Sequence, residues 1–316
     1  MKQKNNSSVG RLMKAAIVTK YGPPEVVRIE DRPKPVPKDN KILVRICATT
    51  VTSGDCRVRG ANVPPIYKPM LWVMFGVGKP RQPVLGTEFT GQVEEVGDKV
   101  KAFKRGDAVF GTMGMLNLGA HAEYALVPER GGVVLKPEGI SFEQAAALAF
   151  GGTTALHFLR TGKLQKGQRI LIYGASGAVG TSAVQLAKHL GAEVTGVCSG
   201  ANLDLVGDLG ADKVIDYTRE DLRATNLKYD VVFDAVGRMA KPIAKEVLTQ
   251  GGVFLSVMAG FVGVRQEDLR LLGELTAGGK YSPVIGRTYP FEQIADAHAY
   301  VETGHKRGNA VVIMPT

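Results

Sequence analysis

Three glycines, Gly174, Gly177 and Gly180, separate a short apolar run at residues 170–173 from a segment with the apolar spacing of a helix at residues 179–190. The first glycine suits a tight turn, the second lets the backbone approach a pyrophosphate, and the third lets the helix pack against a sheet. The free N–H groups at the start of the helix would meet the phosphates. We predict a dinucleotide site here; the alternative is a parallel α/β unit whose glycines serve packing alone. The expected contacts of this turn also include Ser176, Ala178 and Val179.

The loop after the next strand bears on which dinucleotide binds. An Asp or Glu at the end of that strand, residues 193–198, would accept hydrogen bonds from the adenosine ribose of NAD and would repel a 2′-phosphate. The loop contains Ser199 and Asn202, and its first carboxylate is Asp204. This pattern favours NADPH, although no Lys or Arg of the loop adds to the preference.

Composition restricts the class of protein. The 316 residues are 44% hydrophobic and 22% charged, which is typical of an enzyme with one or two globular domains. No apolar run reaches the roughly 18 residues that a membrane span needs, and the polar residues 1–12 read as a flexible extension.

The net charge of +10 raises nucleic acid or a membrane surface as partners. Because the cations are scattered among carboxylates, we expect no nucleic-acid partner and a general field that attracts a phosphorylated cofactor.

The cysteines and histidines are too few to predict a metal site. Three cysteines cannot form a four-cysteine zinc site, and they suggest a reducing, cytoplasmic location. Of five histidines, only His121 lies before residue 150, so a catalytic zinc is not expected.

The two halves of the chain have different patterns. Short strands are expected at residues 15–19, 26–29, 41–50, 91–96, 108–112 and 121–127. Residues 63–83 have no clear period and read as a long functional loop, such as a lid over a substrate. From Ser141, a candidate helix N-cap, helices alternate with strands at residues 170–173, 193–198, 213–215, 231–234 and 253–257. This alternation predicts a doubly wound parallel sheet, and a tail from about residue 279 is expected to return to the first domain.

The chain resembles the zinc-free, quinone oxidoreductase-like branch of the medium-chain dehydrogenase/reductases, which includes zeta-crystallin. The resemblance covers the chain from Met13 onward and depends on TTVTSGDCRVRG at 49–60, PVLGTEFTGQVEEVG at 83–97, GAHAEYALVP at 119–128, AALAFGGTTALHFL at 146–159, GASGAVG at 174–180, LGADKVIDY at 209–217 and GHKRGNAVVI at 304–313. It implies an α/β fold with a GroES-like β-rich catalytic domain, residues 13–137 and 279–316, and a Rossmann nucleotide domain, residues 138–278.

The resemblance also implies a chemistry. Zinc-dependent relatives have Gly-His-Glu where this chain has Gly86-Thr87-Glu88. A threonine cannot replace the histidine ligand, so the expected acceptor is already electron-poor: a quinone or an α,β-unsaturated carbonyl reduced with NADPH. Alternatives are a zinc-free alcohol or aldehyde reductase, and an NADPH-binding structural or regulatory protein with little turnover.

Site residues follow from the same resemblance. Thr153 should lie beside the nicotinamide, with a helix N-cap as the alternative. Val257 and Ala259 should line the same edge, and Tyr217 should flank the adenosine phosphate or be a strand-end aromatic. For the acceptor pocket we predict Thr52, Ser53 and Asp55, the last of which could instead cap a loop. Further candidates, each also explicable as a surface or core residue, are Arg57, Arg59, Tyr67, Trp72 and Phe75.

The segment between residues 258 and 266 is shorter than the one that helps to join two subunits in relatives. The resemblance implies a homodimer, and the short segment implies that the usual contact between the subunits is altered.

Overall fold

The computed structural model describes residues 11–63, 65–114, 117–260 and 262–315. The expected extension at residues 1–12 lies outside these ranges except for its last two residues, and Leu12 already begins a strand.

The first half of the chain is rich in short strands. In chain order its elements are β1 (Leu12–Val18), β2 (Val27–Pro33), β3 (Lys41–Val51), α1 (Ser53–Gly60), α2 (Lys68–Phe75), β4 (Glu88–Val96), β5 (Ala108–Thr112), β6 (Tyr124–Pro128) and β7 (Gly132–Leu135). The second half alternates helices and strands: α3 (Phe142–Ala146), α4 (Ala149–Thr161), β8 (Arg169–Tyr173), α5 (Ala178–His189), β9 (Glu193–Cys198), α6 (Leu203–Asp208), β10 (Lys213–Asp216), β11 (Tyr229–Asp234), α7 (Lys241–Val247), β12 (Leu248–Ser256), α8 (Gln266–Ala277), β13 (Ile285–Pro290), α9 (Ile294–Glu302) and β14 (Asn309–Ile313).

A seven-stranded sheet forms the β-rich part. Its order is β13-β14-β3-β4-β5-β7, and β6 pairs with β3. β14 runs antiparallel to β3, with Ala310 opposite Val51, so the end of the chain does return to the first sheet. The domain boundaries in residue numbers stay a prediction.

The second sheet has five parallel strands in the order β10-β9-β8-β11-β12. Along β8, Ile170 and Ile172 join one buried cluster while Leu171 joins another, because successive side chains point to opposite faces. Both faces are thus covered, and the predicted doubly wound α/β architecture is confirmed. In such sheets the order reverses at one point, here between β8 and β11, and ligands bind beyond the carboxyl ends of the strands there.

The local predictions differ in outcome: one helix cap is confirmed, one loop is wrong and one helix was missed. Ser141 is the N-cap of α3 as predicted, within a capping box that Gln144 completes. The expectation of a loop across residues 63–83 was wrong: a short 3-10 turn at Pro65–Tyr67 leads into α2. The sequence pattern also missed α1, whose N-cap Thr52 pairs with Asp55 in a second capping box.

Candidate functional site

A cleft of about 490 Å³ lies between the two sheets, at the switch point of the parallel one. Residues that follow β8, β9 and β11 line one side, and residues of α1 and β5, with Thr87 just before β4, line the other. The volume is in the range of small-molecule and cofactor sites.

The glycine turn is built as the sequence predicts. Gly174 has a φ of 79°, which only glycine adopts freely, and Gly177 is the N-cap of α5. A Cβ on Gly180 would lie 2.1 Å from the Gly174 carbonyl oxygen, so this glycine allows the helix to pack. A Cβ on Gly177 would meet nothing closer than 3.7 Å, which leaves its cleft side open to a ligand. Lining side chains of the same turn are Ser176, Ala178 and Val179.

One end of the cleft contains Ser199, Asn202 and Tyr217, which the sequence predicts to contact the adenosine part of the cofactor. The Asn202 amide donates to Ser199 Oγ over 2.9 Å, while its buried Oδ1 has no hydrogen-bond partner. An unpartnered buried polar atom beside an open cleft is available to a ligand.

Arg238 joins these residues from the loop after β11, and sequence reasoning missed it. Asp234 fixes that loop, since its carboxylate accepts hydrogen bonds from the backbone N–H groups of Gly237 and Met239. Arg238 also lies close enough to Tyr173 to oppose the rise in that phenol's pKa that burial causes. Arg238 therefore adds a cation to the lining of the cleft from a different loop than the one that contains Ser199.

At the opposite end of the cleft, Ser53, Thr87 and Thr153 line the wall. Thr153 is buried in the second turn of α4 and donates its hydroxyl to the Ala149 carbonyl, so the alternative reading as an N-cap is wrong. Thr87 Oγ1 is buried without a hydrogen-bond partner. Two threonines thus line this end of the cleft, and the hydroxyl of Thr87 is the one without a hydrogen-bond partner.

Thr52 and Asp55 do not line this wall. The Asp55 carboxylate accepts hydrogen bonds from the Thr52 N–H (2.8 Å), the Thr52 hydroxyl (2.6 Å) and the Gly86 N–H (3.2 Å). These bonds cap α1 and attach it to the turn before β4. The geometry therefore favours a positioning role for this pair, while a direct catalytic role stays a prediction.

The arginines of α1 separate into two environments. Arg57 is exposed and lines the cleft. Arg59 was considered a surface charge, but it is fully buried and pairs with Glu302 at 2.8 Å.

Lys306 also lines the cleft. It lies in the segment GHKRGNAVVI, which contributed to the family resemblance, but it was not predicted as a site residue. Its ammonium donates to the Gly308 carbonyl over 2.8 Å, and within the described chain no carboxylate lies within ion-pair distance. Burial lowers the pKa of Lys306 to about 8, and the nearby Glu88, Cys56 and Asp55 act in the opposite direction.

Glu88 lies behind this wall, fully buried at the start of β4. It accepts hydrogen bonds from the Thr50 hydroxyl and the Phe150 N–H. Burial raises its pKa to about 7, and the two hydrogen bonds and Lys306 oppose the rise.

The remaining predicted contacts are divided. Val257 lines the cleft, as does Gly260, whereas Ala259 is exposed outside the lining. Trp72 and Phe75 do not line the cleft either; Phe75 packs against the core of the β-rich part. Tyr67 lies in the 3-10 turn before α2.

In the described part of the chain, the Lys and Arg side chains that line the cleft have no carboxylates among them. Arg57, Arg238 and Lys306 line the cleft, and none of the described lining residues is an Asp or Glu. Such a surface attracts a ligand with several negative charges.

The described residues contain no group of three His, Cys, Asp or Glu side chains arranged to hold a metal ion, and the three thiols are free. The predicted absence of a metal stays a prediction. In the same parts of the chain, no helix combines the length and the apolarity that a bilayer crossing requires.

Comparison with known proteins gives concordant matches. Residues 38–138 match the alcohol dehydrogenase GroES-like domain, and residues 178–279 and 255–312 match two zinc-binding dehydrogenase families.

Two curated proteins align along almost the whole chain. An NADPH-dependent alkenal/one oxidoreductase of Arabidopsis thaliana is 32% identical over 97% of this chain and 81% of its own length. A 2-methylene-furan-3-one reductase of Solanum lycopersicum is 34% identical over 96% and 80%.

Among solved structures, the quinone oxidoreductase from Coxiella burnetii superposes with a TM-score of 0.84 and 28% identity. The alignment covers 96% of this chain and all of that one.

Proposed function

The chain belongs to the medium-chain dehydrogenase/reductase family, and from this premise we propose that it is an oxidoreductase that uses NADPH to reduce a quinone or an α,β-unsaturated carbonyl. The proposal rests on the cleft at the switch point of the parallel sheet, which is lined by three cations and no described carboxylate. Relatives whose names give NADPH, alkenals and quinones support the substrate class.

The residues present fit NADPH. The open side of Gly177 and the N-terminus of α5 would receive the pyrophosphate. Ser199 and the orphan Oδ1 of Asn202 would face the adenosine ribose. We propose that Arg238 is the partner of the 2′-phosphate, because it is the lining cation that shares this end of the cleft with Tyr173.

When bound, NADPH supplies a hydride for the acceptor, and the rest of the chemistry is the protein's task. The apolar side chains of Phe150, Phe158, Val262 and Val264 exclude water from the acceptor end. The hydroxyls of Thr87 and Thr153 orient the ligands that meet there.

Reduction of an enone or quinone places negative charge on the acceptor's oxygen. We propose that the ammonium of Lys306 stabilises this charge and provides the proton, which it recovers from solvent. Among the groups facing it, Glu88 and Asp55 keep it charged by their proximity.

We propose that the reaction is independent of zinc, although the matched families are described as zinc-binding. Thr87 stands where zinc-dependent relatives have a histidine, and a neutral hydroxyl is a poor zinc ligand. An electron-poor acceptor needs no Lewis acid, since its own carbonyl stabilises the added electron pair.

The test is oxidation of NADPH and NADH, followed by absorbance, with 1,4-quinones, 2-alkenals, enones and simple aldehydes, with and without a chelator. We expect turnover of quinones or enones with NADPH that a chelator leaves unchanged. Loss of turnover with the chelator would disprove zinc independence. Tight NADPH binding without turnover of any acceptor would instead indicate the structural or regulatory alternative.

Assembly and location remain expectations. The strand β12 is at the edge of the parallel sheet, where pairing with a second copy would extend it. A homodimer is therefore proposed, and light scattering would measure its mass. The cytoplasmic location that the cysteine content suggests is tested by cell fractionation.

A further inference from the structure

A second surface of this protein is unrelated to the cleft. From Cys56 to Thr87 the sequence contains no Asp or Glu, although it has five cations. Arg59 is buried and Arg57 lines the cleft, which leaves Lys68, Lys79 and Arg81 exposed on and beside α2. Elsewhere in the chain cations are mixed with carboxylates, so the overall charge pattern does not show this local excess of positive charge.

The same segment exposes large apolar side chains. Ile66 is 81% exposed, Val73 71% and Val77 75%, and Met70 is exposed between them. Met70 and Val73 lie three residues apart on α2 and are therefore neighbours on the helix surface. Ile66, in the 3-10 turn before α2, and Val77, after Gly76, extend the exposed apolar side chains beyond both ends of the helix. We call these four side chains, with α2 between them, the apolar stripe.

The opposite face of α2 holds the helix on the protein. Leu71 is buried, and Phe75 packs against the core of the β-rich part. The helix is therefore apolar on two sides, although only one side has a protein partner in the described chain. A helix that is apolar all round is normally covered on all sides, and a rimmed apolar patch marks an interaction surface.

The charges around the stripe indicate what covers it. A second copy of this chain would bring the same three cations against the first, so the contact would be repulsive. A lid over the cleft would need its apolar residues to face the cleft, and none of the stripe residues lines it. The occupant must match both the apolar stripe and the cations beside it. A bilayer with anionic headgroups does so, because its interior is apolar and its surface is negatively charged.

We propose that α2 and the apolar stripe dock the protein on the surface of an anionic membrane. The stripe enters the boundary between headgroups and acyl chains, while Lys68, Lys79 and Arg81 contact the phosphates. Trp72, which is 39% exposed on the same helix, lies at the level that tryptophan prefers in membrane interfaces. The contact is peripheral, and it does not depend on the proposed reductase activity.

The chain offers its own probe, because Trp72 is its single tryptophan. The full-length protein is mixed with vesicles of phosphatidylcholine alone, or with vesicles in which about a third of the lipid is phosphatidylglycerol. We expect a blue shift of tryptophan emission and co-flotation of the protein with the anionic vesicles, both weakened by salt.

Two variants separate the apolar and the electrostatic contributions. Val73→Asp should lower vesicle affinity about tenfold or more, because a carboxylate enters the interface. Its control is Val36→Asp, since Val36 is a valine of similar exposure, 66%, outside this surface. Lys79→Gln with Arg81→Gln should lower affinity about fivefold for each cation removed. The matched control for this pair is Lys38→Gln with Lys213→Gln.

Absence of flotation and of the blue shift with anionic vesicles would overturn the proposal. So would equal binding by Val73→Asp and the parent protein. A mass increase without lipid that Val73→Asp abolishes would identify a second copy as the occupant, and a blue shift caused by NADPH alone would identify a lid. Turnover measured without vesicles reports on the proposed reductase separately, so the two proposals fail independently.

Discussion

Gly177 and Gly308 lie side by side in a parallel backbone bridge, although 131 positions separate them in the chain. The N–H of Gly308 donates to the Ser176 carbonyl over 2.8 Å. This contact attaches the tail that carries Lys306 to the turn that would receive the pyrophosphate. The segment with Lys306 and the proposed phosphate site are therefore held together by this backbone contact.

The two glycines at the start of α5 should respond differently to alanine. Gly180→Ala places a methyl group 2.1 Å from the Gly174 carbonyl oxygen, so it should lower the free energy of unfolding by about 1–3 kcal/mol. Gly177→Ala should change the free energy of unfolding by no more than about 0.5 kcal/mol. It should weaken NADPH binding about tenfold or more, because the added methyl group would occupy the space proposed for the pyrophosphate. Denaturant unfolding and fluorescence titration measure the two effects. Unchanged NADPH affinity in Gly177→Ala would remove the pyrophosphate contact.

Cofactor preference should depend on Arg238. Arg238→Gln would remove the proposed charge-assisted hydrogen bond to the 2′-phosphate and should lower NADPH affinity about tenfold, with NADH affinity unchanged. Ser199→Asp should reduce the same preference by repulsion. The control Arg219→Gln changes an exposed arginine outside the lining and should have no effect. An equal loss for both cofactors in Arg238→Gln would place the selection elsewhere.

Lys306 should produce the alkaline limb of the pH profile. Its pKa of about 8 means that the ammonium is charged below this pH and neutral above it, so kcat should fall as pH rises through about 8. The groups that face it are Glu88, Asp55 and Cys56, and on its own segment His305 and Arg307 adjoin it.

Lys306→Met should lower kcat about 10²-fold and abolish that limb, while NADPH affinity stays unchanged. Lys280→Met is the control, because Lys280 is exposed outside the cleft. A loss confined to NADPH affinity would show that Lys306 contacts the cofactor's phosphates and takes no part in the reduction.

Stability should fall in mild acid because of His298. This ring is fully buried, its Nδ1 lies 3.6 Å from Cys56 Sγ, and its Nε2 has no partner. Burial, with His121 and Arg59 nearby, holds the pKa of His298 well below 6.5. The unfolded chain then binds one more proton as pH drops below about 6.5, so the free energy of unfolding should decrease by up to about 1.4 kcal/mol per pH unit.

The measurement is denaturant unfolding between pH 7 and about pH 5. His298→Gln should flatten the dependence, while His305→Gln, which changes an exposed histidine, should retain it. An equal slope in His298→Gln and the parent would assign the acid sensitivity to other groups.

Local sequence determined the nucleotide turn. The tight turn at Gly174 and the packing of Gly180 depend on residues within one βα unit, and the α3 cap depends on Ser141 and Gln144 alone. Residues so close in sequence meet in almost any fold that contains the unit, which is why their pattern can be read directly. The capping box Thr52–Asp55 was readable in the same way and was the missed signal for α1.

Tertiary structure alone decided the charges of the cleft and the outer face of α2. Arg238 and Lys306 reach the site from loops that follow β11 and α9. The motif GHKRGNAVVI around Lys306 indicated a family, but only the fold shows that this side chain and Arg238 line the cleft. The segment of α2 is apolar at nearly every position, so its pattern has no period to read, and only packing shows which side chains remain exposed. Periodicity reports the local conformation of a chain, whereas the position of a charge or an apolar face depends on which distant strands pair.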